Sequence, residues 1–157
     1  MRTSAIVGLV LLLTSMVSAA DPKVEMTKAE MKKLEGTWTT ESSVQDGKKV
    51  PDEKAKAYTM TIKADGMWTM TNGKDTWGGT YTVDPSKKPK TGQFVGTTGS
   101  FKDKTTLDIY NLDGDTLTFC YVIVPTGKKS SKERPTKFES KEGTGHILQV
   151  MKREKPK

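Results

Sequence analysis

The sequence predicts an all-β protein: a single up-and-down antiparallel barrel of about eight strands, preceded by a short helix. Apolar and polar residues alternate at period two over most of the chain, as in strands with one buried and one exposed face. Asp65-Gly66, Asn72-Gly73 and Asp113-Gly114 separate these runs, and Asx-Gly pairs favour tight hairpins. Because no helical segment is long enough to join parallel strands, the strands should follow one another antiparallel.

Residues 1–20 are predicted to be a cleaved secretory signal peptide. Arg2 precedes an apolar run over residues 5–13, and small residues follow at 17–20. The run is shorter than the roughly 20 apolar residues that a membrane-spanning helix needs. We therefore expect one extracytoplasmic domain of 137 residues, 21–157, in the periplasm, in the cell envelope or secreted, with no membrane span after cleavage.

The charge of the chain is basic but dispersed. Its 26 Lys and Arg outnumber 19 Asp and Glu, for a formal charge of +7. Such a surface could attract anionic envelope polymers, or the charges could simply belong to solvated loops. A single cysteine, Cys120, allows no internal disulfide, so the apolar core must hold the fold.

The first predicted element after the signal is a short helix. Thr27 and Glu30 have the spacing of a capping box, and Met26 and Met31 that of a hydrophobic staple around it. Met31 then begins a narrow apolar stripe that should end before Gly36.

Strands account for the rest of the prediction. Tyr58, Met60 and Ile62 should face the interior, as should Trp68 and Met70 after the first hairpin. Beyond an opening strand that contains Trp38, the predicted strands cover residues 58–63, 68–70, 77–83, 93–97, 105–112, 116–124 and 145–152. In the two strands that flank Asp113-Gly114, two sets of side chains compete for the interior. One set is Leu107, Ile109, Cys120 and Val122; the other is Tyr110, Leu112, Leu117 and Phe119.

Catalytic, metal-binding and cofactor functions find little support. Nucleophilic catalysis needs a base close to the nucleophile, and His146 is the only imidazole available to Cys120. One Cys and one His cannot supply the ligands that zinc prefers. Asn111, Asp113 and Asp115 resemble part of a calcium loop, but a hairpin explains them equally. We predict no catalytic residue, no metal, no cofactor and no nucleic-acid partner.

Aromatic side chains are the most informative chemical feature. Five of them are predicted to line a cavity for one small apolar ligand: Trp68, Trp77, Tyr81, Tyr110 and Phe119. Barrels of about eight strands can instead be filled by their own side chains, and the sequence leaves this alternative open.

Three motifs resemble a known family. Gly36-Thr37-Trp38 has the G-x-W form, residues 84–90 read D-P-S-K-K-P-K, and residues 112–117 read L-D-G-D-T-L. Over roughly residues 31–153 the chain resembles the exported lipocalin-like domain family that is expanded in planctomycetes. The resemblance implies export and a lipocalin-like barrel, without a particular reaction or ligand. It also implies barrel closure at Gly36 and Trp38, with Arg153 or Lys152 as the late cationic partner of the indole.

The leading expectation is thus an exported, monomeric, non-catalytic binding protein that holds a small apolar or amphipathic ligand. The alternative is a solid-barrel envelope protein that contacts anionic polymers or partner proteins through basic loops. The lysines concerned are Lys87, Lys88, Lys128 and Lys129. An enzyme carried by Cys120 and His146 is the third hypothesis.

Overall fold

The computed structural model describes residues 21–127, 130 and 132–155. The predicted signal peptide, together with Lys128 and Lys129, lies outside this range. The elements within it are α1 (Pro22–Leu34), β1 (Gly36–Gln45), β2 (Lys48–Lys49), α2 (Asp52–Lys56), β3 (Tyr58–Ile62), β4 (Met67–Asn72), β5 (Asp75–Asp84), β6 (Lys90–Thr98), a 3-10 turn (Gly99–Phe101), β7 (Lys104–Asp113), β8 (Thr116–Pro125) and β9 (Ile147–Arg153). Neither α-helix in this part of the chain is long and apolar enough to cross a membrane.

Eight strands form a closed antiparallel barrel, as the sequence predicts. β1 and β3 to β9 pair in chain order, and β1 also pairs with β9 from Trp38↔Arg153 to Gln45↔Ile147. Closure leaves no free edge along this path, which removes the exposed strand that an open sheet would present. The short strand β2 lies outside this closed path and pairs with the end of β1. The turn between them is at Asp46-Gly47, where both residues have positive φ.

In β7 and β8, one of the two competing sets of side chains faces the barrel interior, and the long β8–β9 connection covers the other set. Tyr110, Leu117 and Phe119 join the barrel core. Ile109, Cys120 and Val122 are equally buried but lie on the outer face. The described part of segment 126–146 covers that face. There, Cys120 Sγ donates to the carbonyl of Glu139 at 3.3 Å, and Pro135 is buried. Both sets of residues are therefore apolar because both faces of this hairpin are covered.

The helix starts earlier than the sequence suggests, so the capping box and the staple are wrong. Asp21 is the N-cap, its carboxylate accepting from the Lys23 amide at 2.8 Å, and Pro22 follows at the first helical position. Thr27 is inside the helix and donates to the Lys23 carbonyl at 2.9 Å. Met26 is exposed, whereas Met31 is buried against the barrel.

Strand β6 contains few apolar side chains, because glycines occupy two of its buried positions. Gly92 and Gly96 are buried there, and a Cβ on Gly92 would lie 2.4 Å from Tyr81 Oη. A Cβ on Gly96 would lie 1.9 Å from the Phe101 carbonyl oxygen. The missing side chains leave room for aromatic rings from β5 and from the turn that follows β6.

Candidate functional site

The interior of the barrel is filled at the end that α1 covers. The residues packed there are Met31, Leu34, Trp38, Met60, Ile62, Val83, Leu117 and Met151. Met31 and Leu34 come from α1 and are almost fully buried. The helix therefore acts as a fixed plug, and any site in the barrel must lie towards the other end.

A cavity of about 260 Å³ occupies that other end. It is reached at the start of β3, β5 and β9 and at the end of β1, β4 and β8. Its aromatic lining consists of Tyr58, Trp68, Trp77, Phe94, Phe101, Phe119 and Tyr121. Its aliphatic lining is Val50, Ala55, Met70, Ile123 and Ile147, and its polar lining is Thr40, Ser43, Gln45, Thr106 and Gln149. The barrel is thus only partly filled by its own side chains.

Three of the five predicted lining residues surround this cavity, namely Trp68, Trp77 and Phe119. Tyr81 and Tyr110 do not line it, contrary to the prediction. Both are buried in polar clusters deeper in the barrel, where their hydroxyls serve carboxylates. Strand alternation predicts that a residue faces inward, but it does not tell at which depth along the barrel the residue lies.

Tyr81 belongs to a buried cluster around Asp108. Its hydroxyl donates to Asp108 Oδ1 at 3.4 Å, and its ring stacks on Phe94 with centroids 3.8 Å apart. Thr106 donates to the other carboxyl oxygen at 3.5 Å. Burial raises the pKa of Asp108 to about 8, against the opposing effects of the nearby Arg134 charge and the hydrogen bond from Tyr81. Burial also raises the pKa of Tyr81 well above its usual value.

Tyr110 belongs to a second cluster, around Glu30 of α1. Its hydroxyl donates to Glu30 Oε1 at 3.3 Å, and Lys90 Nζ donates to the same oxygen at 2.5 Å. Burial of Glu30 opposes ionisation, but the hydrogen bond and charge of Lys90, with the charge of Lys33, lower its pKa overall. This cluster attaches the helix to the barrel, so it has a structural explanation.

One wall of the cavity carries a chain of polar side chains from three strands. Tyr121 of β8 donates to Gln149 Oε1 at 3.3 Å, and Gln149 Nε2 donates to Thr40 Oγ1 of β1 at 2.7 Å. Ser43 and Gln45 extend this wall towards the mouth. The hydrogen bonds hold Gln149 in place, and fixed polar groups in an apolar cavity orient a ligand.

The opposite wall is aromatic and contains an unpaired donor. Trp68 packs edge-to-face against Phe94 and Phe101, with ring centroids 5.1 Å and 5.7 Å away. Its indole Nε1–H has no hydrogen-bond partner, although only 3% of the residue is exposed. Within the described residues, this is the one buried side-chain nitrogen or oxygen atom without a partner. A buried donor without a partner is costly, and such groups call for an explanation.

The segment between β1 and β3, which contains β2 and α2, borders the mouth of the cavity. Val50 and Ala55, the latter on α2, contribute to the lining, and Ala55 is 1% exposed. The β1–β2 turn is tied to the end of segment 126–146, since Asp46 accepts from the Gly145 amide at 2.8 Å. Neither β2 nor α2 is predicted by the sequence, because two and five residues are too short to show a period.

At the opposite end, the structure brings Gly36, Trp38 and Arg153 together. The Arg153 guanidinium carbon lies 4.1 Å from the centroid of the Trp38 ring. Arg153 also donates to the carbonyl oxygens of Lys33 and Glu35, and Trp38 Nε1 donates to that of Leu34 at 3.0 Å. These last carbonyls of a helix have no partner inside it, so the contact that the resemblance implied also caps α1.

The candidates for catalysis and metal binding lie apart from the cavity. Cys120 is on the outer face, and burial raises the pKa of its thiol. Among the described residues, no hydrogen bond joins it to His146, and no group of three or more His, Cys, Asp and Glu is gathered as for a metal ion. Asp113 and Asp115 belong to the β7–β8 hairpin, where Asp115 Oδ1 lies 3.4 Å from Arg153 Nε.

Several residues that line the cavity were not predicted as site residues from the sequence. The sequence patterns that could have identified them differ from one residue to the next. Gln149 alternates with Met151 in β9, so its inward position could have been read from period two. Phe94 is the one large apolar residue between Gly92 and Gly96, which also marks an inward position. Phe101 sits in a 3-10 turn and carries no periodic signal at all.

No protein-family model, curated protein or solved structure matches this chain. The site must therefore be interpreted from its own geometry.

Proposed function

We propose that this protein is a non-catalytic binding protein that holds one small apolar or amphipathic molecule in the mouth-side cavity of its barrel. The observation that carries the proposal is the cavity of about 260 Å³, bordered by seven aromatic side chains in a barrel whose other end is filled. Burial of ligand surface supplies the free energy of binding, at about 25 cal/mol per Å² before the costs of association.

Size restricts the ligand. An apolar cavity of about 150 Å³ accommodates benzene, whereas pockets for drug-sized molecules hold about 300–1,000 Å³. The cavity here lies between these two cases. Long-chain fatty acids and retinoids would have to extend out through the mouth, and small cyclic molecules fit within it.

Export remains part of the proposal, supported by the N-terminal sequence pattern alone. A binding protein outside the cytoplasm would sequester or carry its ligand there. The resemblance to the exported lipocalin-like family agrees with this role.

Tryptophan fluorescence tests the proposal directly, because Trp68 and Trp77 line the cavity and Trp38 lies at the closed end. We expect saturable changes in emission with a cyclic monoterpene such as limonene, and weaker ones with retinol or palmitate. Ser43→Phe places a ring in the cavity and should abolish the change. Ser42→Phe is the matched control, since Ser42 is the neighbouring residue of β1 and does not line the cavity.

The proposal fails if no ligand in the panel changes the emission of the wild-type protein. It also fails if Ser43→Phe and Ser42→Phe bind equally well while both remain folded by circular dichroism.

A further inference from the structure

A β-bulge in β1 decides which of its side chains face the mouth-side cavity. The register of β1 against β9 shifts between Thr40 and Ser42, so Glu41 is an extra residue without a partner in β9. An extra residue moves the alternation of a strand by one position. Thr40 and Ser43 therefore both face inward, although their spacing is odd, and both line the cavity.

The bulge places polar side chains where the uninterrupted pattern would place an apolar one. Counted in steps of two from Thr40, the inward residues would be Ser42 and Val44. The bulge turns Ser43 and Gln45 inward instead. Burial of apolar surface does not explain this arrangement, because Val44 would bury more of it than either residue. Bulges also occur next to functional sites, where they re-aim a side chain.

Ser43 is the accessible polar group on this wall. It is the direct partner of Gln149 across β1 and β9, so the two side chains lie on the same face. Gln149 is only 6% exposed, and hydrogen bonds with Tyr121 and Thr40 hold its amide in place. Ser43 is half-buried. Its hydroxyl makes no hydrogen bond with another described residue, and its oxygen is not among the atoms that are closed off from solvent.

The charge of the cavity wall adds a second constraint. Within the described part of the chain, the seventeen residues that line the cavity include no Asp, Glu, Lys, Arg or His. A charged group placed there would lose its hydration without meeting an opposite charge, which is strongly unfavourable. The group that meets Ser43 should therefore be neutral. A hydroxyl fits best, because a hydroxyl and a serine can each donate and accept.

We propose that the ligand is a neutral, largely apolar alcohol whose hydroxyl pairs with the hydroxyl of Ser43. This inference rests on the proposed binding function and specifies the chemistry of the same cavity. Ser43 is then the specificity-determining residue. The apolar frame of the ligand packs against aromatic side chains of the lining, among them Trp77 and Phe119.

Three compounds with one ring frame test the proposal, with tryptophan emission as the measure of binding at neutral pH. Limonene is the hydrocarbon, perillyl alcohol carries a hydroxyl on the same frame, and perillate carries a carboxylate at the same carbon. We expect saturable binding of limonene and of perillyl alcohol. Perillate should bind at least about tenfold more weakly than perillyl alcohol, because its carboxylate would be buried without a cation.

Ser43→Ala removes the hydroxyl and leaves the cavity open. It should weaken perillyl alcohol about threefold to tenfold, the effect of one hydrogen bond, and should not weaken limonene, which has no polar group. Comparing each ligand between wild type and variant cancels the difference in hydration between the two ligands. Ser42→Ala is the matched control, the serine next to it that does not line the cavity, and it should change neither affinity by more than about twofold.

The outcomes separate this inference from the proposed function. If none of the three compounds changes the emission, the binding function falls and the inference falls with it. If limonene binds but perillyl alcohol does not, or if Ser43→Ala affects both ligands equally, the binding function stands and the role of Ser43 is refuted. If perillate binds as tightly as perillyl alcohol, the requirement for a neutral ligand is refuted, and this comparison needs no variant.

Discussion

Gly36 is the position where α1, the barrel and Arg153 come together. Its φ is +143°, a value that favours glycine, and a Cβ would lie 2.7 Å from Arg153 Nη1. The absence of a side chain lets the guanidinium lie over Trp38 and reach the end of the helix. A planar group with several fixed donors is required here, and a lysine ammonium cannot reproduce it.

Arg153→Lys is therefore expected to destabilise the protein by about 2 kcal/mol, because at least one carbonyl of the last helical turn loses its donor. Urea unfolding followed by circular dichroism measures this difference. Lys152→Arg, the reverse exchange at the exposed neighbour, should change stability by less than about 0.5 kcal/mol. If the two exchanges changed the free energy of unfolding equally, the capping role of Arg153 would be contradicted.

At the scale of elements, α1 is joined to the barrel by apolar and ionic contacts. Met31 and Leu34 are buried in the core, and Glu30 accepts from Lys90 and from Tyr110. Lys33 adds a second cation at 3.5 Å from Glu30 Oε2. A carboxylate with only 4% exposure needs such partners, so the helix has one position on the barrel where its charge is satisfied.

Glu30→Gln should lower the free energy of unfolding at pH 7 by about 1–3 kcal/mol. The pKa of Glu30 is lowered in the folded state, so its contribution is present above the unfolded pKa and is lost as the pH falls through the folded pKa. The difference between wild type and variant should therefore shrink from pH 7 towards pH 3. Glu25→Gln removes an exposed pair with Lys28 on the same helix and should cost less than about 0.5 kcal/mol. A pH-independent loss in Glu30→Gln would contradict this account.

At the scale of the whole molecule, the described part of segment 126–146 contacts the barrel wall beside a buried carboxyl group. Arg134 donates to the carbonyl oxygens of Gly92 and Asp108, where the pairing of β6 with β7 is interrupted before Val95↔Thr105. The same Asp108 presents its buried carboxyl to Tyr81 inside the barrel. The stability of the barrel wall is thus coupled to the ionisation of one interior group.

Asp108 should make the protein less stable as the pH rises. Its folded pKa of about 8 is above the ordinary value of 3.8, so the folded state binds the proton more tightly than the unfolded state. The stability that this group contributes is complete below about pH 4 and is lost as the pH rises through 8. The slope is about 1.4 kcal/mol per pH unit within that window.

Asp108→Asn imitates the protonated carboxyl and should remove this slope, which urea unfolding at a series of pH values can measure. Asp113→Asn, at an exposed carboxyl of the same strand, should leave the slope unchanged. If the wild-type protein and Asp108→Asn have parallel pH profiles, Arg134 keeps the carboxylate ionised in the folded state.

Sequence alone determined the barrel and much of its inward face. The period-two pattern of Tyr58, Met60 and Ile62 and the Asx-Gly turns are local features, so they can be recognised without knowing the fold. The pairing of Trp38 with Arg153 came from the resemblance of a motif, and the closure of β1 on β9 is the structural reason for it.

Only the tertiary structure decided which side of β7 and β8 faces inward, and which inward residues border empty space. Cys120 and Ile109 are apolar because a distant segment covers them, and strand periodicity contains no information about that cover. Tyr81 and Trp68 have the same inward pattern, yet one meets Asp108 and the other meets the cavity. Depth along a barrel depends on how eight strands are staggered against one another, and that is a property of the closed sheet and not of any one strand.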